Sequence, residues 1–135
     1  MNNLKNYVPI LGRALFTFVF LSKGLNHIAQ MKPMARYAAQ KGVIFPEFAV
    51  ILTGIMLLVG GMSVLTGYKA KKGALILLAF LVPVTIIMHN PAHLSGLRKQ
   101  IEIIMIMKNA ALAGACLLIA HFGSGPGSLD DRKSK

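Results

Sequence analysis

Four long apolar segments constrain this chain more than any other feature of its sequence. They cover residues 7–28, 46–66, 73–89 and 101–122 of a chain of 135 residues. The hydrocarbon core of a bilayer is roughly 30 Å thick and takes about 20 helical residues to cross, a length that these segments match or approach. Too little sequence is left for a soluble domain, so the pattern predicts an all-α integral membrane protein, a four-helix bundle.

The distribution of charge supports this class of protein. The chain is 55% hydrophobic and 14% charged, with a formal net charge of +11. Such a basic chain could bind nucleic acid, but its lysines and arginines fall mainly between and after the apolar segments. Basic loops flank membrane helices and meet anionic lipid headgroups. We therefore expect the lipid bilayer as a partner and no nucleic acid.

Loop charges also predict an orientation. With four spans, both termini and the loop between the second and third spans lie on one side, which carries seven basic residues against five on the other. The seven are Lys5, Lys69, Lys71, Lys72, Arg132, Lys133 and Lys135, and the five are Lys32, Arg36, Lys41, Arg98 and Lys99. The positive-inside rule places the richer side in the cytoplasm, so both termini are predicted to be cytoplasmic.

The segments between the spans differ in character. Residues 1–122 form the predicted transmembrane domain, and residues 123–135, rich in Gly, Ser and charge, form a predicted disordered polar tail. Residues 29–42 alternate apolar and basic side chains at helical spacing, which predicts a short interfacial helix between spans 1 and 2 with Pro33 in its first turn. Small residues should let helices approach closely, and they are Gly54, Gly60, Gly61, Ala110, Ala113 and Gly114.

Polar side chains inside the spans are the candidate ligand-binding residues: Arg13, Lys23, His27, His89, Glu102, Lys108 and Asn109. On the first helix, His27 lies within about 40° and Lys23 within about 80° of the direction of Arg13. An up-down topology also brings Lys23 and His27 to the same end as His89 and Glu102. One hypothesis is a pocket for a polar head such as a quinone carbonyl. The alternatives are that Arg13 and Lys23 extend to the headgroups, and that the others are ordinary interface residues.

The sequence gives little support for a metal site or for thiol chemistry. His89 and His93 are four residues apart, but Pro91 between them interrupts a helix, so no metal site is expected. Cys116 is the only cysteine, which excludes an intramolecular disulfide. No catalytic residue is assigned, and any electrons would have to come from a partner protein.

Several motifs, in order along the chain, match a known pattern. They are Gly12-Arg13, Phe20-Leu21-Ser22-Lys23-Gly24-Leu25-Asn26-His27, Met34-Ala35-Arg36-Tyr37, Gly60-Gly61, Gly67-Tyr68-Lys69, Phe80-Leu81-Val82-Pro83-Val84-Thr85 and Lys108-Asn109-Ala110-Ala111. Together they resemble the DoxX family of small bacterial membrane proteins over nearly all of residues 12–120. The resemblance implies a four-helix fold in the cell inner membrane and an association with membrane redox complexes, among them a quinone-linked one that oxidises thiosulfate.

Two positions depart from that family pattern. Many members carry His-x-Phe-Trp at the end of the third span, whereas this chain reads His89-Asn90-Pro91-Ala92 and has no Trp. An acidic residue common in the second span of many members is absent from residues 53–58.

Three functional hypotheses follow from the sequence. The first is an accessory subunit of a membrane redox or quinone-linked system, with quinone as its ligand and a redox protein as its partner. The second is a small carrier or a lipid- or anion-binding membrane protein, and the third is a purely structural membrane component. An oligomer is compatible with all three.

Overall fold

The computed structural model describes residues 2–133. Over these residues the chain forms six α-helices and no strand: α1 (Asn2–Ala29), α2 (Met31–Gln40), α3 (Pro46–Thr66), α4 (Ala70–Met88), α5 (Gly96–Phe122) and α6 (Leu129–Lys133). Within that part of the chain, α1, α3, α4 and α5 contain segments long and apolar enough to cross a membrane. The predicted all-α fold with four spans is confirmed, as is the short helix between the first two.

Three of the long helices begin before their apolar segments. α1 begins at Asn2 rather than near residue 7, α4 at Ala70 rather than near residue 73, and α5 at Gly96 rather than near residue 101. The added turns of α5 contain Arg98 and Lys99, which are exposed. A helix is held by its backbone hydrogen bonds, so its end need not coincide with the end of the apolar run.

Local sequence explains both ends of α3. Pro46 and Glu47 occupy its first turn, where a missing N–H costs nothing and a negative charge is favoured. Gly67 ends the helix in the left-handed region, at φ 68°. Its N–H donates to the Val64 carbonyl (3.2 Å), and the Tyr68 N–H donates to the Ser63 carbonyl (3.1 Å). This pair of bonds is the Schellman arrangement, which a glycine adopts without strain.

The four long helices pack in the order α1, α3, α4, α5. α1 packs along α3, α3 along α4, and α4 along α5, while α2 lies mainly on α3. α1 and α5 approach each other far less closely. All four long helices contribute to the buried apolar core, which includes Phe20, Leu57, Leu77, Leu81 and Cys116.

Glycines on α3 allow the closest of these contacts. A Cβ placed at Gly60 would lie 2.8 Å from the Leu77 side chain and 3.0 Å from the Gly73 carbonyl oxygen of α4. A Cβ at Gly54 would lie 3.0 Å from the His27 Cβ of α1. These approaches confirm the predicted role of small residues on α3, because a side chain at either position would have to displace atoms of the neighbouring helix.

The small residues of α5 correct that prediction in part. Ala113 packs against the buried core, whereas Ala110 and Gly114 are exposed and a Cβ at Gly114 would meet nothing within 4 Å. α5 buries the side that carries Asn109 and Cys116, and at 100° per residue Gly114 points away from it. The expected close approach at Gly114 is therefore wrong.

The C-terminal segment also differs from its predicted disorder. Over residues 123–133 it turns back onto the bundle and ends in α6, while residues 134 and 135 lie outside the described part of the chain. Arg13 donates to the carbonyls of Ser124 (2.5 Å) and Gly127 (2.9 Å). The Asp130 carboxylate accepts the backbone N–H groups of Lys69 (3.0 Å) and Ala70 (3.2 Å) at the start of α4. Its order comes from polar contacts with distant residues, which a composition poor in apolar side chains does not reveal.

Candidate functional site

A cavity of about 510 Å³ lies at the end of the bundle where α1 and α4 finish. Most of its wall is apolar and comes from α2, α3 and α4, including Met34, Val50, Met56, Phe80, Val84 and Ile87. Its polar wall consists of Lys23, Asn26, His27, Tyr37, Thr53, His89 and Asn109. The volume and the balance of many apolar with a few polar groups are those of a small-molecule site.

The hydrogen bonds of His27 define its tautomer. Its Nδ1 lies 3.0 Å from the Thr53 hydroxyl oxygen and 3.4 Å from the Val50 carbonyl oxygen. The Thr53 hydroxyl donates its own proton to the Ala49 carbonyl (2.7 Å), so it accepts from His27. Nδ1 therefore carries a proton, and in the neutral ring Nε2 is left as an acceptor.

His89 is held in the same way by a carboxylate. Its Nδ1 lies 2.7 Å from Glu102 Oε2, and both side chains are largely buried. Because the ionised carboxylate only accepts, His89 donates from Nδ1 and its Nε2 is free for another partner. The bond also joins the end of α4 to the first turns of α5 and orients the ring.

Asn109 has one unused acceptor. Its side-chain amide N–H donates to the Thr85 hydroxyl oxygen (3.0 Å), and Thr85 donates in turn to the Leu81 carbonyl (2.6 Å). Because the Thr85 proton is already used, the amide cannot be reversed without losing this bond. Asn109 is 3% exposed, and its Oδ1 has no hydrogen-bond partner within the described residues. A buried acceptor left unpaired is costly to the folded state.

Two lysines meet beside this cavity. Lys23 on α1 and Lys108 on α5 are close enough for their ammonium groups to interact. Lys108 donates to the Met105 sulfur at 3.3 Å, a weak acceptor. Neither lysine forms an ion pair within residues 2–133.

The structure thus brings together six of the seven predicted site residues. Lys23, His27, His89 and Asn109 line the cavity, Glu102 holds His89, and Lys108 meets Lys23. Arg13 is separated from them, because it lies ten residues before Lys23, about 15 Å along α1. It is bound by the C-terminal segment instead.

Sequence reasoning missed the two threonines that orient the site. Thr53 fixes His27, and Thr85 fixes Asn109. Each is an isolated hydroxyl inside an apolar span, and this isolation is the sequence signal by which it could have been recognised as a site residue. Pro83 was also missed: it lines the cavity within α4 and cannot donate to the carbonyl of Ala79, one turn earlier.

Within residues 2–133 no three His, Cys, Asp or Glu side chains come together as a metal site. His93 is exposed in the segment between α4 and α5, and it does not line the cavity with His89.

Two known inner membrane proteins are similar to this chain over most of its length. The chain is 26% identical over 130 residues to the inner membrane protein YqjF of Escherichia coli (strain K12), covering 96% of this chain and 95% of that protein. It is 24% identical over 123 residues to the inner membrane protein YphA of the same strain, covering 91% and 88%. No solved structure matches it. The DoxX family pattern matches residues 8–90, from the first turns of α1 to the segment after α4. The chain belongs to the DoxX family.

Proposed function

We propose that this chain is an inner-membrane protein that binds an amphiphilic molecule with an oxygen-bearing head, a quinone in the first instance. In this role it serves as an accessory subunit of a membrane redox system. The convergence of Lys23, His27, His89 and Asn109 on one largely apolar cavity carries the proposal. The names of the two relatives support the inner membrane as its location.

The size and lining of the cavity suit such a ligand. A volume of about 510 Å³ accommodates a substituted ring and the first part of an apolar tail. Methionines at positions 34, 56 and 88 contribute flexible side chains to the wall, which adapt to ligands of irregular shape.

The polar groups suit both redox states of a quinone head. The Lys23 ammonium can donate to a quinone carbonyl oxygen, because it has no acceptor of its own in the described chain. The Nε2 atoms of neutral His27 and His89 can accept the hydroxyl protons of a quinol. The chain's own part in this role is to bind and orient the ligand, while a partner protein exchanges electrons with it.

Filling the cavity tests the proposal directly. Ala49 lines it, so Ala49→Phe should occupy the space of the ligand. We expect the purified wild-type protein in a mild uncharged detergent to bind an added short-chain quinone, and Ala49→Phe to bind it at least about tenfold more weakly. Binding is measured by equilibrium dialysis with mass spectrometry of the quinone at matched protein concentration.

Ala111→Phe is the matched control. Ala111 is exposed on α5 and does not line the cavity, so the same substitution there should leave binding unchanged. Wild-type protein that binds no quinone, or equal binding by both variants, would contradict the proposal.

A further inference from the structure

A second space, a groove of about 410 Å³, lies between α3 and α4 on the outside of the bundle. Among the described residues, no polar side chain lines it. Its lining consists of Ile55, Met56, Val59, Leu75, Ile76 and Ala79. Both helices are membrane spans and several of these side chains are exposed, so the groove faces the hydrocarbon of the bilayer.

This groove is continuous with the cavity, because Met56 and Ala79 line both spaces. On α4 the lining residues follow one another at intervals of four. Ile87, Pro83 and Ala79 line the cavity, and Leu75 continues the row into the groove. Residues spaced by four share one face of a helix, and all four of these are exposed. One face of α4 thus lines the cavity and the groove in succession.

α3 contributes its lining in the same way. Thr53 and Met56 line the cavity, and Val59, about one turn further along, lines the groove. Just beyond Val59 the two helices are in close contact, since a Cβ at Gly60 would lie 3.0 Å from the Gly73 carbonyl oxygen. The space between α3 and α4 is therefore open toward the cavity and closed toward the opposite end of the bundle.

The junction of the two spaces lies near the middle of the membrane. Met56 is the central residue of α3 (Pro46–Thr66), and Ala79 is the central residue of α4 (Ala70–Met88). The polar end of the cavity lies nearer the membrane surface. Val50, whose carbonyl oxygen lies 3.4 Å from His27 Nδ1, is nine residues before Val59, which is about 14 Å along α3.

We propose that this groove binds the apolar tail of the amphiphile whose head occupies the cavity. The inference rests on the proposed function and specifies its ligand, which carries a long apolar chain that leaves the cavity between Met56 and Ala79. A phospholipid acyl chain would start from a headgroup at the membrane surface. The groove instead joins a polar cavity in mid-membrane, an arrangement that fits one molecule with its head in the cavity.

The physical chemistry of the bilayer limits what the groove contributes. Lipid is as apolar as the groove, so the hydrophobic effect does not drive a tail from one to the other. The tail gains van der Waals contacts with the groove, and the bound head keeps it there. Occupation of the groove by the tail should therefore depend on occupation of the cavity by the head.

Photolabelling of the full chain in an uncharged detergent tests this dependence. The probe is a quinone that carries a diazirine at the far end of an isoprenoid tail, and the labelled residues are identified by mass spectrometry. We expect label on the groove residues, Val59 and Leu75 among them. Ala49→Phe, which fills the cavity, should lose that label, and Ala111→Phe should keep it.

A substitution in the groove provides a second measurement. Two quinones with the same head and different tail lengths are compared at equal mole fraction in the micelles. The long-tailed quinone should bind the wild type about fivefold or more tightly than the short-tailed one. Val59→Phe narrows the groove and should remove most of this ratio. Val82→Phe is the matched control, because Val82 is similarly exposed but lines neither space.

The outcomes separate this inference from the proposed function. If the short-tailed quinone binds but the tail labels other residues, or if Val59→Phe leaves the ratio unchanged, the tail groove is refuted and quinone binding stands. Wild-type protein that binds no quinone would overturn both. A phospholipid with a diazirine on its acyl chain is the third probe. If it labels the groove and the long-tailed quinone does not displace it, the groove is a general lipid contact and the inference fails.

Discussion

At the scale of single residues, hydroxyl groups organise the polar interior. Thr53 and Thr85 each donate to the carbonyl one turn earlier on their own helix, so each hydroxyl has only its acceptor function left for a neighbour. That acceptor receives the His27 ring N–H in one case and the Asn109 amide N–H in the other. A threonine inside an apolar span can thus fix the tautomer of a histidine or the orientation of an amide.

The substitution Thr85→Val tests this role. It keeps the shape of the side chain but leaves the buried Asn109 N–H without an acceptor, so we expect a loss of about 1 kcal/mol in the free energy of unfolding. Thr66→Val is the control, because the exposed Thr66 hydroxyl also bonds the carbonyl one turn earlier but accepts from the Tyr68 backbone N–H (3.4 Å) rather than from a buried side chain. The free energies are measured by reversible denaturation in mixed micelles. Equal losses in the two variants would contradict the assignment.

At the scale of elements, the C-terminal segment of residues 123–133, here called the clasp, joins two helices at the end of the bundle opposite the cavity. Arg13 is only 6% exposed and bonds to backbone carbonyls of that segment. The Asp130 carboxylate meets the first N–H groups of α4, where the helix dipole favours a negative charge. Arg13 therefore joins α1 to the clasp, and Asp130 joins the clasp to α4.

Removing the Arg13 charge should loosen this clasp. Arg13→Gln loses charge-assisted bonds to the Ser124 and Gly127 carbonyls, so we expect amide hydrogen exchange over residues 124–133 to accelerate about tenfold. Arg36→Gln, at an exposed arginine of α2, should leave that exchange unchanged. Exchange is followed by mass spectrometry of the C-terminal peptide. The same variant should retain quinone binding, since Arg13 does not line the cavity; unchanged exchange would refute the clasp.

At the scale of the whole molecule, the two ends of the bundle have different chemistry. One end holds the cavity, the two oriented histidines and the lysine pair, and the other holds the basic loop between α3 and α4 and the clasp. Four spans place α6 and the α3–α4 loop on one side of the membrane and α2 on the other. The larger number of basic residues then predicts that the clasp is cytoplasmic and that the cavity opens toward the periplasmic side.

Reporter fusions check this orientation. Fusions at Lys71 and Lys133 should report a cytoplasmic location, and a fusion at Arg36 should report an external one. Activity of a paired cytoplasmic and external reporter at each position, in whole cells, is the measurement. Opposite locations for Lys71 and Lys133 would contradict four spans, and the exact reverse of the pattern would contradict the orientation alone.

The sequence by itself determined the membrane class, the number of spans and the family. Long apolar segments leave no alternative to spanning helices, since every backbone polar group in a bilayer must be satisfied within the chain. It also determined where α3 begins, at Pro46, and where it ends, at Gly67. These boundaries depend on backbone conformations that few residues favour.

Only the tertiary structure decided which faces pack and which polar groups meet. In a soluble protein an apolar face identifies the interior, but lipid is as apolar as a protein core, so apolar pattern does not distinguish the two sides of a spanning helix. For this reason the sequence pattern places Gly114 on the wrong side of α5 and groups Arg13 with a site that lies about 15 Å away along α1. The cavity and the lysine pair arise from helices distant in sequence, and their positions are properties of the packed bundle.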